Sequence, residues 1–235
     1  MSTKSEGTFI TFEGGDGAGK TTHIRFLAET LRAHDYEVVC IREPGNTAIG
    51  EKLRDIVLDP SHGEMADMCE LFIYEAARAQ LVSEVIKPAL DRGAIVLCDR
   101  FTDSTYAYQA VGRGLDAQTV RDLNHVACQG VYPERTIVMI PPSVADGLHR
   151  ATKDDGADRL EGAGMDFHAR VNNAFKKMAD EHPRRMRAVY SEDKKSETSK
   201  RVFEALKDLF PWMSDLLHDD AYFEPLNTRK HKTVE

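Results

Sequence analysis

An eight-residue segment near the start of the chain restricts the possible folds more than any other feature. Residues 14–21 read Gly-Gly-Asp-Gly-Ala-Gly-Lys-Thr and satisfy the pattern GxxxxGK[ST] at every defined position. The apolar run Thr8–Phe12 precedes them, and a helical periodicity over Lys20–Ala33 follows. A strand, a glycine-rich turn and a helix in this order point backbone N–H groups at phosphate oxygens, at the positive end of the helix dipole. The pattern therefore predicts a nucleotide phosphate site.

This phosphate loop assigns a task to each of its polar residues. Lys20 is expected to reach the β and γ phosphates of the nucleotide, and Thr21 to place its hydroxyl on Mg²⁺. The expected nucleotide-binding residues are Gly14, Gly15, Asp16, Gly17, Ala18, Gly19, Lys20, Thr21 and Thr22. The loop alone does not distinguish a GTPase from a motor ATPase or a small-molecule kinase. The NKxD motif that usually reads guanine is missing, because no Asn is followed by Lys.

Apolar runs of strand length alternate with helical periodicities along the rest of the chain, which predicts an α/β fold. The four further strands are expected at Val38–Ile41, Ala94–Cys98, Thr136–Ile140 and Arg187–Tyr190. Further helices are expected over residues 49–58, 67–90, 116–128, 165–181 and 197–209. The predicted architecture is a five-stranded parallel sheet flanked by helices, of the P-loop nucleoside triphosphatase type.

Two parts of the chain stand apart from this alternation. The segment of about residues 152–164 is rich in Gly and charged residues and is expected to be a small lid loop between two helices. Helical periodicity decays after residue 209. We therefore expect one domain over residues 1–209 and a C-terminal extension over residues 210–235 with no assigned role.

Composition and charge argue against several classes of protein. The chain has 235 residues, 31 of them Lys or Arg and 39 Asp or Glu, so its net charge is −8 and a broad nucleic-acid surface is not expected. No apolar stretch is long enough to span a bilayer, and residues 1–7 are polar, unlike a secretory signal. The four cysteines form no CxxC pair. These features favour the cytoplasm.

Charged side chains follow two of the predicted strands where each strand ends. Arg42 follows the second strand, and Asp99 and Arg100 follow the third. The carboxyl ends of parallel strands meet at one edge of the sheet, where open α/β folds bind ligands. Two guanidinium groups there can clamp a second phosphate, and Asp99 occupies the place of a Walker B carboxylate that holds Mg²⁺. The pattern therefore favours a kinase with a phosphorylated acceptor.

Six ordered segments resemble the thymidylate kinases in identity, order and spacing. These segments are Phe12–Thr22, Arg42–Gly45, Tyr74–Arg78, Asp99–Phe101, Ser104–Gly114 and Asp158–Glu161. The resemblance covers about residues 8–209. It implies a P-loop nucleoside monophosphate kinase that uses ATP and Mg²⁺ to phosphorylate dTMP to dTDP, a step toward dTTP, commonly as a homodimer. Residues Cys69, Leu71, Phe72 and Ile73 offer an apolar surface for a second copy.

The resemblance also assigns residues around the acceptor. Asp16 matches a carboxylate near the sugar 3′-hydroxyl and the metal, while Arg42 and Arg100 match arginines around the acceptor phosphate. At the base end, Tyr74 matches an aromatic residue on which thymine stacks, and Arg78 the donor to the base oxygen O4. The remaining substrate positions are Thr105 at the base edge, Tyr108 against the sugar 2′ position, and Gln109.

The catalytic cation is expected from the lid. In family members whose phosphate loop lacks an Arg, the lid supplies it, and here the relevant loop position is Gly17. The candidates are Arg150, Lys153 and Arg159, so the expected catalytic set is Lys20, Asp16, Arg100, Arg150, Lys153 and Arg159. Closure of the lid is expected to exclude water and so to limit wasteful hydrolysis of ATP.

Departures from the family pattern leave two alternatives. Tyr74 replaces the usual Phe, so the acceptor could also be dUMP or a 5-modified deoxyuridylate. A more distant alternative is a P-loop nucleotide-binding regulator that hydrolyses ATP without any acceptor. That alternative explains neither the paired arginines at the strand ends nor Tyr74 and Arg78, which lie one helical turn apart.

Overall fold

A computed structural model of the chain describes residues 7–153 and 157–228. Within these residues one sheet contains five strands: β1 (Thr8–Glu13), β2 (Val38–Arg42), β3 (Ile95–Asp99), β4 (Arg135–Ile140) and β5 (Met186–Tyr190). Their order across the sheet is β2-β3-β1-β4-β5, and every neighbouring pair is parallel. The predicted five-stranded parallel α/β architecture is confirmed.

Helices follow the strands and cover both faces of the sheet. They are α1 (Lys20–Ala33), α2 (Ala48–Leu58), α3 (Asp67–Leu81), α4 (Lys87–Asp91), α5 (Thr102–Thr105), α6 (Ala117–Cys128), α7 (Val144–Ala151), α8 (Met165–Glu181), α9 (Lys195–Leu206), α10 (Met213–Leu216) and α11 (Asp220–Phe223). Segments Val82–Ile86 and Tyr106–Gly112 are π-helical, and Glu161–Ala163 and Glu224–Asn227 are 3-10 turns. None of the described helices is both long and apolar enough to cross a membrane.

Two predicted helices differ from the observed ones. The single helix expected over residues 67–90 is α3 followed by a π-helical turn and α4, in which Pro88 stands in the first turn. Proline has no N–H to continue the ladder of hydrogen bonds, so it favours a new helical start. Helix α9 begins at Lys195 and ends at Leu206, whereas residues 197–209 were expected to be helical.

Alternate residues of the strands point to opposite faces of the sheet. Ile10 and Phe12 of β1 pack with Ile24 and Leu27 of α1 in the largest buried cluster, while Phe9 packs with residues that follow α3. Strands buried on both faces read as continuous apolar runs. This explains why the strands were visible in the sequence as short apolar segments.

The segment after α9 belongs to the same core. Phe210, Met213, Phe223 and Leu226 are buried in the cluster that contains Phe12 of β1. Residues 154–156 of the expected lid and residues 229–235 of the expected extension lie outside the part of the chain that the structure describes.

The register of the strands places the charged strand ends side by side. Asp99 at the end of β3 is paired with Phe12 of β1 on one side and with Arg42 of β2 on the other. Strand β1 lies between β3 and β4. The connection from β1 to β2 runs toward one edge of the sheet, and the connection from β3 to β4 runs toward the other edge. A ligand crevice is expected at such a switch point, beyond the carboxyl ends of the strands.

Candidate active site

The phosphate loop joins β1 to α1 through three glycines with positive φ, Gly14, Gly17 and Gly19. Gly14 has φ 126°, and a Cβ on it would stand 2.2 Å from the carbonyl oxygen of Met139. Helix α1 begins after Gly19 with no capping side chain and no acidic residue in its first turn. The first N–H groups of a helix lack partners within it. These groups are therefore available to an anion.

The side chain of Lys20 bonds the backbone of the phosphate loop. Its ammonium donates to the carbonyl oxygens of Gly14 and Gly15, at 3.1 and 3.2 Å, and is almost fully buried. Burial and the nearby charge of Arg100 lower the pKa of Lys20. The positive charge of Lys20 is therefore held within the phosphate loop.

Thr21 and Asp99 are the pair best placed to hold a metal ion. The Thr21 hydroxyl donates to Oδ2 of Asp99 at 3.2 Å, while Oδ1 of Asp99 is buried and has no hydrogen-bond partner in the described chain. Lys20 Nζ lies 4.0 Å from that oxygen. No group of three His, Cys, Asp or Glu side chains in the described ranges could hold a metal. The unpartnered carboxylate oxygen beside a hydroxyl fits Mg²⁺ held with help from phosphate oxygens.

Arg100 is fixed through its backbone as well as its side chain. It has φ 71°, a left-handed conformation that is costly for a residue with a side chain. Its N–H donates to the carbonyl oxygen of Phe12 at 2.9 Å, and the next N–H, of Phe101, donates to Oε1 of Glu13 at 2.8 Å. The hydroxyl of Ser104 donates to the other oxygen of Glu13. The end of β1 thus holds the turn that carries Arg100.

Glu13 is fully buried beneath this turn. Burial and the negative charge of Asp103 raise the pKa of Glu13 to about 8. The sequence analysis did not single it out, because a Glu at the end of a strand has no distinctive pattern.

Arg100 and Asp16 connect the phosphate loop to the neighbouring cavity. Arg100 Nη1 donates to the carbonyl oxygen of Gly14 at 2.9 Å, and Nη2 donates to Oδ1 of Asp16 at 2.6 Å. The hydroxyl of Tyr108 donates to Oδ2 of Asp16 at 2.7 Å. Burial opposes ionisation of Asp16, but the charges of Arg100 and Lys20 more than offset it and lower the pKa of that carboxyl. Asp16 is therefore an anion between two donors.

A cavity opens beside Asp16, between α2, α3 and the lid. Its walls carry both polar and apolar side chains, supplied by elements far apart in the sequence. The lining residues are Asp16, Glu43, Pro44, Arg54, Leu58, Tyr74, Arg78, Arg100, Phe101, Ser104, Thr105, Tyr108, Gln109, Asp158, Leu160 and Glu161. The structure thus brings together every expected substrate residue except Arg42.

Tyr74 and Arg78 lie on the same face of α3, as their spacing predicted, and both line this cavity. Burial and the carboxylates of Glu70 and Asp158 raise the pKa of Tyr74, so its ring is a neutral phenol. The guanidinium of Arg78 is 1 % exposed and has no spare donor. Its five N–H groups all donate within the chain, to Glu43 twice and once each to Glu75, Asn124 and Thr105. A base oxygen can bond Arg78 only by sharing or displacing one of these contacts.

The carboxylates around Arg78 are not fully satisfied. Oε1 of Glu43 and Oε1 of Glu75 are buried and have no hydrogen-bond partner among the described residues. Burial raises the pKa of Glu43 to about 7, against the opposing effect of the Arg78 charge. The single positive charge of Arg78 therefore faces two buried carboxyl groups. Near neutral pH the cluster of these three side chains also binds a proton.

Thr105 and Gln109 occupy adjacent turns beside the same cavity. The Thr105 hydroxyl accepts from Arg78 Nη2 at 2.9 Å, so its own hydrogen is left to donate. Gln109 Nε2 donates to Oε1 of Glu70 at 2.8 Å, so its carbonyl oxygen is left to accept. Glu70 is completely buried and was not predicted as part of the site.

Arg42 does not line the cavity. Both of its terminal nitrogens donate to Glu51 of α2 at 3.0 Å, and Nη1 also donates to the carbonyl oxygen of Pro44. Arg54 lines the cavity instead and donates to the same Pro44 oxygen at 3.0 Å. The sequence analysis missed Arg54, because within α2 it reads as one of several charges on an exposed helix.

The three cations expected in or beside the lid have different surroundings, and Arg150 lies in the last turn of α7 rather than in the lid. Arg150 is exposed, and its Nε donates to the carbonyl oxygen of Gly17 in the phosphate loop at 3.2 Å. Arg159 is held away from that loop by Oε2 of Glu70 at 2.5 Å and by the carbonyl oxygen of Val57 at 2.9 Å. Lys153 is exposed, next to the residues that the structure does not describe.

Gly17 has no space for a side chain. It has φ 65°, and a Cβ on it would stand 1.8 Å from the carbonyl oxygen of Gly147 in α7. An Arg at this loop position is therefore incompatible with α7 as it packs here. This contact gives a physical reason why a catalytic cation has to come from elsewhere.

Comparisons with known proteins agree with this geometry. The family model described as thymidylate kinase matches residues 12–202. A thymidylate kinase from Synechococcus sp. is 44% identical over 205 residues, which are 86% of this chain and 96% of the relative. One from Pseudomonas fluorescens is 48% identical over 179 residues, 76% of this chain and 85% of the relative.

A solved structure has the same fold. The crystal structure of thymidylate kinase from Ehrlichia chaffeensis matches with a TM-score of 0.70 and 32% identity, covering 85% of this chain and 98% of that one. The agreement extends over nearly the whole length of these relatives and includes the loop and the cavity described above. The chain therefore belongs to the thymidylate kinase family.

Proposed function

We propose that the chain transfers the γ-phosphoryl group of ATP to the 5′-phosphate of dTMP, giving ADP and dTDP. One observation carries this proposal. Arg100 bonds Gly14 of the phosphate loop and Asp16 of the cavity wall with the same guanidinium, so the donor and acceptor sites share a wall. Two phosphorylated ligands bound on either side of it would meet at their phosphates.

Transfer of a phosphoryl group depends on positioning of the two reactants and on neutralisation of phosphate charge more than on covalent chemistry by the protein. Lys20 and the open amide groups at the start of α1 bind the β and γ phosphates. The carbonyl contacts of Lys20 with Gly14 and Gly15 hold the ammonium in the loop before the nucleotide arrives. The binding site for the donor is thus formed in advance.

Thr21 and Asp99 are the residues that would hold Mg²⁺. Asp16 was also expected near the metal, but both of its oxygens are bonded, to Arg100 and Tyr108. The ion would neutralise charge on the β and γ phosphates and help to fix their geometry. The unpartnered Oδ1 of Asp99 supports this assignment.

Arg100 and Arg54 hold the 5′-phosphate of the acceptor in this proposal. Arg54 reaches the cavity, while Arg42 is occupied by Glu51 and braces the turn that carries Pro44. We therefore assign Arg42 to support of this turn and Arg54 to the phosphate. Asp16 and Tyr74 both line the cavity that would hold the nucleoside, and Tyr108, bonded to Asp16, limits the space beside the sugar.

The base edge meets two groups of opposite hydrogen-bonding character. Thr105 can donate to the carbonyl oxygen O4 of thymine, and the carbonyl oxygen of Gln109 can accept from N3–H. Cytosine carries an amino group at position 4 and no hydrogen on N3, so it would leave both groups unpaired. Tyr74 supplies the ring on which the base stacks. The polar pair therefore favours thymine or uracil, and the apolar lining residues Pro44, Leu58, Phe101 and Leu160 favour the methyl group.

Arg150, in the last turn of α7 just before the lid, is the cation that we assign to the transferred phosphoryl group. It already bonds the phosphate loop at Gly17, whereas Arg159 is held by Glu70. A positively charged side chain that neutralises the transition state can raise turnover by about 10³-fold or more. Arg159 instead fixes the base of the lid to α3.

We further propose that two copies associate through α2 and α3 in the cytoplasm. Met68 and Phe72 on α3 and Ile49 and Ile56 on α2 are exposed and apolar, and the two helices pack side by side. Leu71, which the sequence analysis placed on this surface, is buried within the chain beside Ala110 and Val120. All four cysteines are free thiols, which suits a reducing compartment.

A product assay tests the reaction directly. Chromatography of a mixture of Mg·ATP, dTMP and the full chain should show ADP and dTDP formed in equal amounts, with little ADP when dTMP is omitted. A regulator without an acceptor would release ADP at the same rate with or without dTMP, and that result would exclude the proposed transfer.

A further inference from the structure

The segment after α9 has a place in the fold that the family match does not explain. The family model ends at residue 202, yet residues 210–228 fold back over α1 and α9. The ring of Phe223 packs on Phe26 of α1 and on Phe203 of α9, with 5.7 and 5.1 Å between ring centres. This C-terminal segment therefore touches the helix that begins at the phosphate loop.

The segment ends at a side chain that caps α9. Asn227 Oδ1 accepts from the backbone N–H of Ser196 at 3.1 Å, and its Nδ2 donates to the Ser196 hydroxyl at 3.1 Å. The N-cap residue of α9 is Lys194, which makes no capping hydrogen bond. A lysine side chain carries no acceptor and cannot cap a helix N-terminus. Asn227 therefore supplies from a distant part of the chain the acceptor that the local sequence lacks.

The start of α9 is connected to the phosphate loop. Residues 191–194 form the β5–α9 loop, and the Ser191 hydroxyl donates to the carbonyl oxygen of Ala18 at 3.4 Å. His23 on α1 bonds Ser199 on α9, with 2.7 Å between Nδ1 and Oγ. The N–H of Glu192 donates to the Thr198 hydroxyl at 2.9 Å. A shift of the first turn of α9 would move this loop against Ala18.

The position of the acceptor cavity decides which ligand this loop meets. The cavity lies on the side of the phosphate loop that carries Asp16 and Arg100. The nucleoside part of a donor whose phosphates fill the loop cannot share that cavity with the acceptor. The β5–α9 loop does not line the cavity and meets the phosphate loop at Ala18. Building on the proposed kinase function, we infer that Asn227 is a positioning residue for the donor nucleotide, because it fixes the β5–α9 loop through Ser196.

The test compares three variants of the full chain by calorimetric titration with ATP and, separately, with dTMP. Asn227→Ala should weaken ATP binding by up to about fivefold, the most that loss of one capping interaction can transmit to the site, with dTMP binding unchanged. Asn227→Asp keeps an oxygen acceptor at the helix N-terminus and should bind ATP within about twofold of the wild type. Thr228→Ala, one residue further on, removes only the bond of its hydroxyl to Pro225 and serves as the matched control.

Three results would overturn the inference. They are unchanged ATP affinity in Asn227→Ala, an equal loss of affinity for ATP and dTMP, and an Asn227→Asp variant as impaired as Asn227→Ala. A general loss of folding would affect both ligands, so the ratio of the two affinities separates positioning from stability. If dTMP is neither bound nor phosphorylated while ATP affinity still responds to Asn227→Ala, the inference about Asn227 stands and the proposed function fails.

Discussion

Arg159 of the lid and Glu70 of α3 form a buried ion pair, with 2.5 Å between Nη2 and Oε2. Glu70 also accepts hydrogen bonds from Gln109 and Arg113, so one carboxylate joins the lid to the acceptor cavity. Tyr74 follows Glu70 by one helical turn. Arg159 of the lid and the ring of Tyr74, on which the nucleotide base is expected to stack, are therefore both fixed to α3.

The different contacts of Arg150 and Arg159 give these two arginines different roles. Arg150→Ala should lower kcat by about 10³-fold and leave the KM for dTMP within a few-fold of the wild type, since the cation acts on the transition state. Steady-state kinetics with both substrates varied measures this. Lys153→Ala is the control and should keep most of the activity. A larger loss of kcat in Lys153→Ala than in Arg150→Ala would reverse the assignment.

The cluster around Arg78 should dominate the stability of the acceptor cavity. Arg78→Met removes the only cation among the described residues that contacts both Glu43 and Glu75, and it should destabilise the chain by about 3–5 kcal/mol. Urea denaturation followed by circular dichroism measures the free energy of unfolding. The triple variant Glu43→Gln, Glu75→Gln, Arg78→Met should recover much of the loss, because no unpaired charge remains. If Arg78→Met cost less than about 1 kcal/mol, the cluster would not be a charge-balanced unit.

Glu13 should make stability fall as the pH rises. Its pKa is raised to about 8 by burial and by Asp103, from an ordinary value of 4.5. Between these values the native chain holds a proton that the unfolded chain has released, so the free energy of unfolding decreases with increasing pH. Glu13→Gln should lessen the decrease between pH 5 and pH 8 by on the order of 3 kcal/mol.

The control for Glu13→Gln is Glu84→Gln on the exposed surface, which should leave the pH dependence unchanged. Denaturation series at the two pH values provide the comparison. An identical slope in the wild type and in Glu13→Gln would show that Glu13 is ionised throughout this range. Glu43, with a pKa of about 7, contributes in the same direction, so some slope should remain in the Glu13 variant.

The proposed pairing of two copies depends on the apolar surface of α2 and α3. Phe72 on α3 is 54% exposed, and Tyr190 at the end of β5 is 55% exposed and lies on a different face. Phe72→Asp should convert a dimer to a monomer, because burying an unpaired carboxylate is costly, while Tyr190→Asp should leave the dimer intact. Sedimentation at micromolar concentration measures the mass. A wild-type mass near 26.3 kDa would contradict the proposal.

Local sequence patterns predicted much of the fold and the centre of the site. The phosphate loop is contiguous, so its eight residues carry the whole pattern, and the fully buried strands read as apolar runs between turns. Asp99 and Arg100 could be placed at the edge of the sheet because parallel strands end together. Helix boundaries were less accurate where tertiary packing or Pro88 changes the helical hydrogen bonds.

The parts that could not be predicted depend on contacts between distant segments. Arg54 lines the cavity, and Arg42 bonds Glu51 instead, because α2 packs beside α3 and brings Glu51 to the end of β2. The five bonds of Arg78 come from α3 and from three other segments of the chain, so no spacing in the sequence shows that its donors are occupied. The C-terminal segment after α9 is buried through isolated apolar residues, Phe210, Met213, Phe223 and Leu226, rather than through a periodic face.

The central claim is the identity of the acceptor, and a comparison of kcat/KM for dTMP, dUMP, 5-hydroxymethyl-dUMP and dCMP at saturating Mg·ATP tests it most directly. The value for dTMP should be the highest. That for dUMP should be lower by about tenfold or more for the missing methyl group, and that for dCMP lower by at least about 10⁴-fold, because cytosine leaves the groups on Thr105 and Gln109 unpaired. An equal or higher value for dUMP, 5-hydroxymethyl-dUMP or dCMP would contradict the assignment of dTMP.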